Sequence, residues 1–145
     1  MKKLLLAACS ALALATPAKA QEVPETLVTI LTAPEPQTQL MAMVLALQAA
    51  DQGASPHVLL CGPAGDMALK DAPESATAGQ PPRDMSPKAL LTRITGLPGA
   101  TVEVCAIYLP GRGESADVLM EGIGVAKPDE MAAAMISPNA RIASY

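Results

Sequence analysis

Apolar segments typical of buried strands alternate with helical segments along the chain, and this alternation constrains the fold most. Five segments are strand candidates, at 27–32, 55–62, 101–109, 122–126 and 141–145. Helices are predicted between them, at 37–51, 64–71, 86–95, 115–121 and 128–135. Strands that alternate with helices are typical of a parallel sheet. The sequence therefore predicts an α/β domain with a mostly parallel five-stranded sheet and helices on both faces.

The first twenty residues have the pattern of a cleaved export signal. Lys2 and Lys3 form a basic start, a run of leucine and alanine follows, and Ala18-Lys19-Ala20 supplies small residues at −3 and −1. The apolar run is shorter than the roughly 20 residues that a membrane span needs. We expect cleavage after Ala20, export to the periplasm and no membrane span. The alternative is Leu6-Ala7-Ala8-Cys9, which resembles a lipoprotein processing box.

The remaining residues, 21–145, have a length that suits one domain with one core. Without the three lysines of the signal, seven basic residues stand against 14 acidic ones, a net charge of about −7. This charge argues against nucleic acid and against anionic membrane surfaces as partners. Tyr108 and Tyr145 are the only aromatic residues, so stacking on bases is poorly supported too. The proline-rich segment 72–87 is predicted to be a loop.

The first predicted helix is apolar on more than one side. Leu40, Val44 and Leu47 form one stripe, whereas Met41, Met43 and Leu45 are spread around the helix. An ordinary surface helix shows a single apolar stripe. Two interpretations remain open: a helix packed between the sheet and a neighbouring loop, or a subunit interface built partly from methionine.

The sequence contains no established cofactor or metal motif, and we expect neither kind of group. The loop Thr32–Pro36 after the first predicted strand has no glycine and one hydroxyl, which does not fit a flavin phosphate. His57 has no second histidine with which to build a metal site, and we expect it to be solvent-facing or structural. Dinucleotide, Walker, nucleophile-elbow and zincin motifs are also missing from the sequence.

Residues 101–113 combine a cysteine with a basic loop. A β-rich apolar run carries Cys105 at its middle and breaks at Pro110 and Gly111, and Arg112 follows between two glycines. In an open parallel sheet, ligands and chemistry gather at the carboxyl ends of the strands. Cys105 is expected slightly short of such an end, which makes it the best candidate for a reactive group.

The reactivity of Cys105 depends on its electrostatic surroundings. A cation or a helix N-terminus lowers a thiol pKa, and Arg112 and the helix predicted from Ser115 are the candidates for this role. Glu103 opposes them, because on a regular strand it points to the same side as Cys105 and its charge would raise the pKa of the thiol. The alternatives are a buried, inert cysteine and an arginine that is a solvated loop charge.

Two short patterns resemble the DsrE/DsrF family of small α/β proteins, which includes YchN-like and sulfur-relay members. They are Val104-Cys105-Ala106 followed by Arg112-Gly113, and the segment 119–125, which is similar to the family's short helix and strand. The resemblance implies a flavodoxin-like fold and assembly into trimers or hexamers. It also implies that the cysteine matching Cys105 accepts sulfur as a persulfide and passes it to a thiol on a partner protein.

Two functional hypotheses follow from these observations. The first is a periplasmic sulfur-carrier or thiol-redox protein of the DsrE/DsrF type, with Cys105 as the persulfide acceptor and Arg112 as its electrostatic support. The second is a non-catalytic, oligomeric binding or assembly module with the same fold. The export signal and the segment 72–87 distinguish this chain from the sulfur-relay members.

Cys61 and Cys105 are the two cysteines that remain after cleavage, and such a pair in an exported protein raises the question of a disulfide. In the flavodoxin strand order 2-1-3-4-5 the first strand lies between them, so the sulfurs start about 10 Å apart. A bridge needs Cα atoms within about 7 Å. We therefore expect Cys61 to be a packed small hydrophobic residue, and a bridge only if the backbone moves.

Overall fold

The computed structural model describes residues 26–145. The predicted export signal 1–20, the cleavage after Ala20 and the alternative at Cys9 lie outside the described residues. Within 26–145, none of the helices is both long enough and apolar enough to cross a membrane.

Five strands form one sheet in which every pairing is parallel. The strands are β1 (Thr26–Leu31), β2 (Ser55–Leu60), β3 (Thr101–Val104), β4 (Gly124–Val125) and β5 (Ala140–Ser144). Their spatial order is β4-β3-β2-β1-β5. The predicted α/β class with a parallel five-stranded sheet is confirmed, with a flavodoxin-like arrangement of strands and helices.

The helices are α1 (Pro36–Asp51), α2 (Glu74–Thr77), α3 (Pro87–Thr95), α4 (Tyr108–Arg112) and α5 (Pro128–Met135), with 3₁₀ segments η1 (Gly62–Ala68) and η2 (Ala116–Val118). Proline occupies the first turn of α1, α3 and α5, where its missing N–H leaves no hydrogen bond unmade. The Ser86 hydroxyl caps α3 by accepting a hydrogen bond from the Ala89 N–H. These local signals explain why the predicted starts of these three helices agree with the observed ones. The helices predicted at 64–71 and 115–121 are instead the 3₁₀ segments η1 and η2.

Two apolar clusters place helices on both faces of the sheet. The larger cluster joins one face to α1 and α3 and includes Leu31, Met43, Leu60 and Leu91. A smaller cluster lies on the other face, where Met131 of α5 packs with Val28 and Leu59. In α1 the stripe of Leu40, Val44 and Leu47 packs against the larger cluster, whereas Met41 and Leu45 are exposed.

The strand order differs from the expected 2-1-3-4-5, and β3 is shorter than predicted. Here β3 pairs directly with β2, and β1 lies between β2 and β5. The predicted strand 101–109 ends at Val104, because its partner β2 ends at Leu60 and offers no further ladder positions. The apolar residues that follow continue into α4 instead. The segment 72–87 is not wholly a loop, since it contains α2 with a buried Ala76.

Candidate functional site

Cys61 and Cys105 form a disulfide at the carboxyl ends of two neighbouring strands. Leu60 and Val104 are aligned partners in the parallel β2–β3 pair, so the next residue of each strand faces the other. The two Cα atoms are 5.1 Å apart, which is within the range that a disulfide spans. The expected separation of about 10 Å was wrong, because no strand lies between β2 and β3.

The backbone of both cysteines is held by the sheet. The Cys61 N–H donates to the Leu31 carbonyl at 2.9 Å, and the Cys105 N–H donates to the Leu60 carbonyl at 2.8 Å. Both residues are half-buried and pack against the smaller apolar cluster beneath α5. The interpretation of Cys61 as an unbridged hydrophobic residue was therefore wrong. The disulfide lies at the sheet edge where chemistry gathers in open parallel sheets.

Arg112, the other predicted site residue, lies at the end of α4 and binds two carboxylates. Its Nε donates to Glu114 Oε2 at 2.7 Å, and its Nη1 donates to Asp66 Oδ1 at 3.1 Å. The hydrogen bond to Glu114 is the main reason why the pKa of the Arg112 guanidinium is raised. Within residues 26–145, no hydrogen bond joins Arg112 to either cysteine. The Arg112 charge is thus bound to the carboxylates of Asp66 and Glu114.

Asp66 also accepts a hydrogen bond from Tyr108, and this contact was not anticipated from the sequence. The Tyr108 hydroxyl donates to Asp66 Oδ1 at 2.6 Å, and the Arg112 guanidinium lies 5.4 Å from the centre of the Tyr108 ring. Burial, and next the hydrogen bond to Asp66, raise the pKa of Tyr108. The hydroxyl is therefore a neutral donor at ordinary pH. We call the group of Asp66, Tyr108 and Arg112 the Asp66 clamp.

Gly65 leaves the space that the Tyr108 ring occupies. A Cβ atom added at Gly65 would collide with Cε2, Cδ2 and Cζ of that ring. Real Cβ atoms do not approach other atoms so closely, so any larger residue must displace the ring or the backbone. The missing side chain of Gly65 thus allows the Tyr108 ring to pack against η1 with its hydroxyl on Asp66. The only signal in the sequence was a glycine next to an acid in a short helix.

A depression of about 420 Å³ lies between the segments that follow the two cysteines. One wall comes from η1 and includes Gly62, Pro63 and Asp66, and the other comes from Ile107 and α4. The Ile107 side chain is 80% exposed although it follows Cys105 by only two residues. The surface of the depression is mostly apolar, with Asp66 and Arg112 as charged lining residues, and its residue Gly62 directly follows Cys61.

His57 and Glu103 form a second polar pair, on the face of the sheet that α5 covers. His57 Nε2 lies 3.0 Å from Glu103 Oε2, and the side chains are 16% and 19% exposed. Glu103 lies on the same side of β3 as Cys105, as predicted, but its carboxylate is turned towards His57. His57 is thus a structural residue. Among residues 26–145, no three or more His, Cys, Asp and Glu side chains are grouped so that they could hold a metal ion.

Comparison with known proteins shows similarity in fold only. No protein-family model matches the sequence, and no curated protein matches it. Among solved structures, the YchN protein from E. coli has a TM-score of 0.63 and 16% identity, over 83% of this chain and 98% of that chain. MTH1491 from Methanobacterium thermoautotrophicum, described as a protein of unknown function, has a TM-score of 0.57 and 14% identity, over 83% and 97%. The chain has the YchN-like fold that the resemblance to DsrE/DsrF proteins implies.

Proposed function

We propose that this protein is a small periplasmic thiol-redox or sulfur-carrier protein of the DsrE/DsrF type, in which Cys61 and Cys105 carry the chemistry. The observation that supports this most is the disulfide at the carboxyl edge of a YchN-like sheet, next to an exposed depression. An oxidising compartment, as expected from the export signal, is where such a disulfide forms and persists.

The redox reaction is a thiol–disulfide exchange with a thiol-bearing protein partner. A partner thiolate attacks one sulfur of the Cys61–Cys105 bond, a mixed disulfide forms, and the other cysteine leaves as a thiolate. A second partner thiol then attacks the mixed disulfide and releases the reduced protein. The partner loses two electrons and forms its own disulfide, and the protein gains two electrons as two thiols.

The same pair of cysteines accommodates sulfur transfer. In the reduced protein, the Cys105 thiolate accepts a sulfane sulfur from a persulfide donor and becomes a persulfide, while the donor leaves as a thiol. A partner thiolate then takes up the outer sulfur and releases the Cys105 thiolate. If the Cys61 thiolate attacks the inner sulfur instead, the disulfide re-forms and hydrosulfide leaves. Cys61 would therefore act as a resolving cysteine, a role that sequence reasoning did not assign.

Arg112 supports this reaction through structure rather than through contact with sulfur. Its guanidinium is bound to Asp66 and Glu114, so it holds the end of α4 against η1. This contact keeps the depression next to the disulfide in its observed shape. Arg112 therefore has a supporting role at the site.

The alternative is a non-catalytic, oligomeric binding or assembly module in which the disulfide only stabilises the fold. The exposed Met41 and Leu45 of α1, at 53% and 44% exposure, favour a contact between subunits. Assembly into a trimer or hexamer is compatible with either function. The accessibility of the disulfide to thiols in the folded protein distinguishes the two.

The test is thiol exchange under native conditions. The oxidised protein, lacking residues 1–20, is treated with excess dithiothreitol, quenched with an alkylating reagent and analysed by mass spectrometry. The reduced protein is then treated with a persulfide donor. We expect alkylation of both cysteines in the first experiment. In the second, we expect an added sulfur on Cys105 in the Cys61→Ser variant, which has no resolving thiol, and no such addition in Cys105→Ser. A disulfide that opens only in denaturant would contradict the proposal and favour the assembly module.

A further inference from the structure

The segments that follow the two cysteines are linked to each other twice. The first link is the disulfide itself, at the point where β2 and β3 end. The second is the Asp66 clamp, in which a carboxylate of η1 accepts hydrogen bonds from two side chains of α4. Cys61 directly precedes η1, and Cys105 lies three residues before α4. The redox centre and the clamp therefore act on the same two segments.

We propose that Asp66 is a positioning residue for the thiol–disulfide reaction, because it holds η1 and α4 together and thereby keeps the two cysteine sulfurs in the arrangement of the bond. The inference rests on the proposed exchange chemistry of Cys61 and Cys105. Asp66 would then shift the equilibrium between the disulfide and the two free thiols towards the disulfide.

The physical argument concerns what restrains each cysteine. On the amino side, both are fixed by the sheet through their N–H groups. On the carboxyl side, the chain enters η1 and α4, whose mutual side-chain hydrogen bonds are those of Asp66 with Tyr108 and Arg112. A restraint on both sides raises the effective concentration of one thiol towards the other, and this concentration determines how readily the disulfide is reduced.

The coupling is reciprocal by thermodynamic necessity. If the clamp favours the disulfide, then reduction of the disulfide must weaken the clamp by the same factor. Reduction should therefore loosen Tyr108 and Arg112 from Asp66 and change the depression between η1 and α4. A partner would then encounter different surfaces on the oxidised and reduced forms of the protein.

The equilibrium with dithiothreitol measures this effect directly. Reduced dithiothreitol gives two electrons and two protons to the protein disulfide and closes to its own cyclic disulfide, so the ratio of the four species gives an equilibrium constant. We expect Asp66→Ala to shift this constant towards the dithiol by about fivefold. The matched control is Asp71→Ala, an exposed aspartate with no side-chain hydrogen bond within residues 26–145, which should leave the constant unchanged.

Asp66→Asn separates positioning from charge. An asparagine oxygen still accepts the Tyr108 hydroxyl hydrogen bond, but the negative charge near the sulfurs is gone. If Asp66 acts by positioning, the asparagine variant lies closer to the wild type than the alanine variant does. Equal shifts in both variants would show a charge effect on the thiolates and would overturn the inference, as would the absence of any shift in Asp66→Ala.

Amide NMR spectra of the oxidised and reduced wild-type protein test the reciprocal effect. Shift changes concentrated in 61–68 and 105–114, with β1 and β5 unchanged, support the inference. Changes confined to the cysteines and their chain neighbours, or a collapse of the whole spectrum, would overturn it. The outcome is separable from that of the proposed function: native exchange at Cys61 and Cys105 with no effect of Asp66 refutes only the inference, whereas an inert disulfide refutes the exchange itself.

Discussion

His57 Nε2 lies 3.0 Å from Glu103 Oε2 and joins β2 to β3 on the face of the sheet where the disulfide packs. The aligned partners of these residues are Thr101 and Leu59, so the contact is a diagonal one along the β2–β3 pair. The Glu103 carboxylate, which lies on the same face as Cys105, is therefore bound to His57. Glu103 is thus not a free charge beside Cys105.

A double-mutant cycle of His57→Ala and Glu103→Ala should give a favourable coupling of about 1 kcal/mol at neutral pH. The pair is mostly buried, so each single variant leaves a polar group without its partner. Urea unfolding of the four proteins measures the coupling. Lys127 and Glu130, an exposed pair at 69% and 64% exposure, provide the control cycle and should show a clearly weaker coupling. Equal couplings in the two cycles would contradict the prediction.

Removal of the disulfide should lower the free energy of unfolding by about 2–4 kcal/mol. The bridge closes a loop with a sequence separation of 44 residues, so it restricts the unfolded chain considerably. The measurement is urea unfolding of Cys61→Ala/Cys105→Ala and of the oxidised and reduced wild-type protein. The double variant should not respond to reductant, which controls for other effects of the reagent. A reduced wild-type protein as stable as the oxidised one would contradict this prediction.

The alternation of apolar runs and helices determined the fold class, but it left the strand order open. A buried strand such as β1 is apolar on both faces whichever strands flank it. Its sequence therefore does not indicate which strands are its neighbours, or whether β2 lies beside β3. The disulfide can form only if β2 lies beside β3. The expected order placed β1 between them and therefore argued against a bridge. The end of β3 was missed for a related reason. Residues 105–109 continue the apolar run, and short apolar runs fit strand and helix equally well.

The site itself was predicted in part. Cys105 was singled out because a thiol near a strand end is chemically plausible, and Arg112 because it follows between glycines. Their long-range partners, Cys61 and Asp66, lie directly before η1 and within it, more than forty residues earlier in the chain. The glycine and the acid at Gly65 and Asp66 were not a sufficient signal in the sequence, since their roles depend on α4 folding back against η1. Contacts of this kind require the tertiary structure.

Gly65→Ala should destabilise the protein by about 1–3 kcal/mol, because the new methyl group collides with the Tyr108 ring. Thermal unfolding and tyrosine fluorescence measure the effect, with Tyr145→Phe as the common background so that Tyr108 gives the signal. Gly111→Ala in α4 is the matched control. A Cβ there meets no atom within 4 Å, and alanine favours a helix over glycine. Similar losses in both variants would show that the space beside Tyr108 is not the cause.

Tyr108 should contribute to stability at neutral pH and lose this contribution in alkali. Its pKa is raised by burial and by the hydrogen bond to Asp66, so the folded protein favours the neutral hydroxyl. The contribution is full below the ordinary tyrosine pKa of about 10 and is lost as the pH rises through the raised folded value. The wild-type protein should therefore exceed Tyr108→Phe in stability by a constant amount up to about pH 9, and by less above pH 10.

Urea unfolding of both proteins at a series of pH values checks this prediction. Groups other than Tyr108 are common to the two proteins, so the difference between them isolates the tyrosine. A difference that stays constant up to pH 11 would mean that the Tyr108 hydroxyl has an equal pKa in the folded and unfolded chains. The hydrogen bond to Asp66 would then not favour the neutral Tyr108 hydroxyl over its ionised form.

Charged substitutions on α1 should break the proposed homo-oligomer. Met41 and Leu45 are four residues apart, so they lie on one side of the helix, and both are exposed in the single chain. Contiguous exposed apolar side chains of this kind are typical of surfaces that associate. Light scattering of the wild-type protein should give the mass of a trimer or hexamer. Met41→Lys/Leu45→Lys should give a monomer, because burying two unpaired charges in an interface is strongly unfavourable in free energy.

The matched control for this experiment is Ile136→Lys. Ile136 is 83% exposed but lies just after α5, away from α1, so a charge there should leave the oligomer intact. The thiol-exchange measurement on the α1 variant adds a second result. If exchange at Cys61 and Cys105 persists in the monomer, the redox site is complete within one chain. A wild-type protein that is monomeric at all concentrations would contradict the interface on α1.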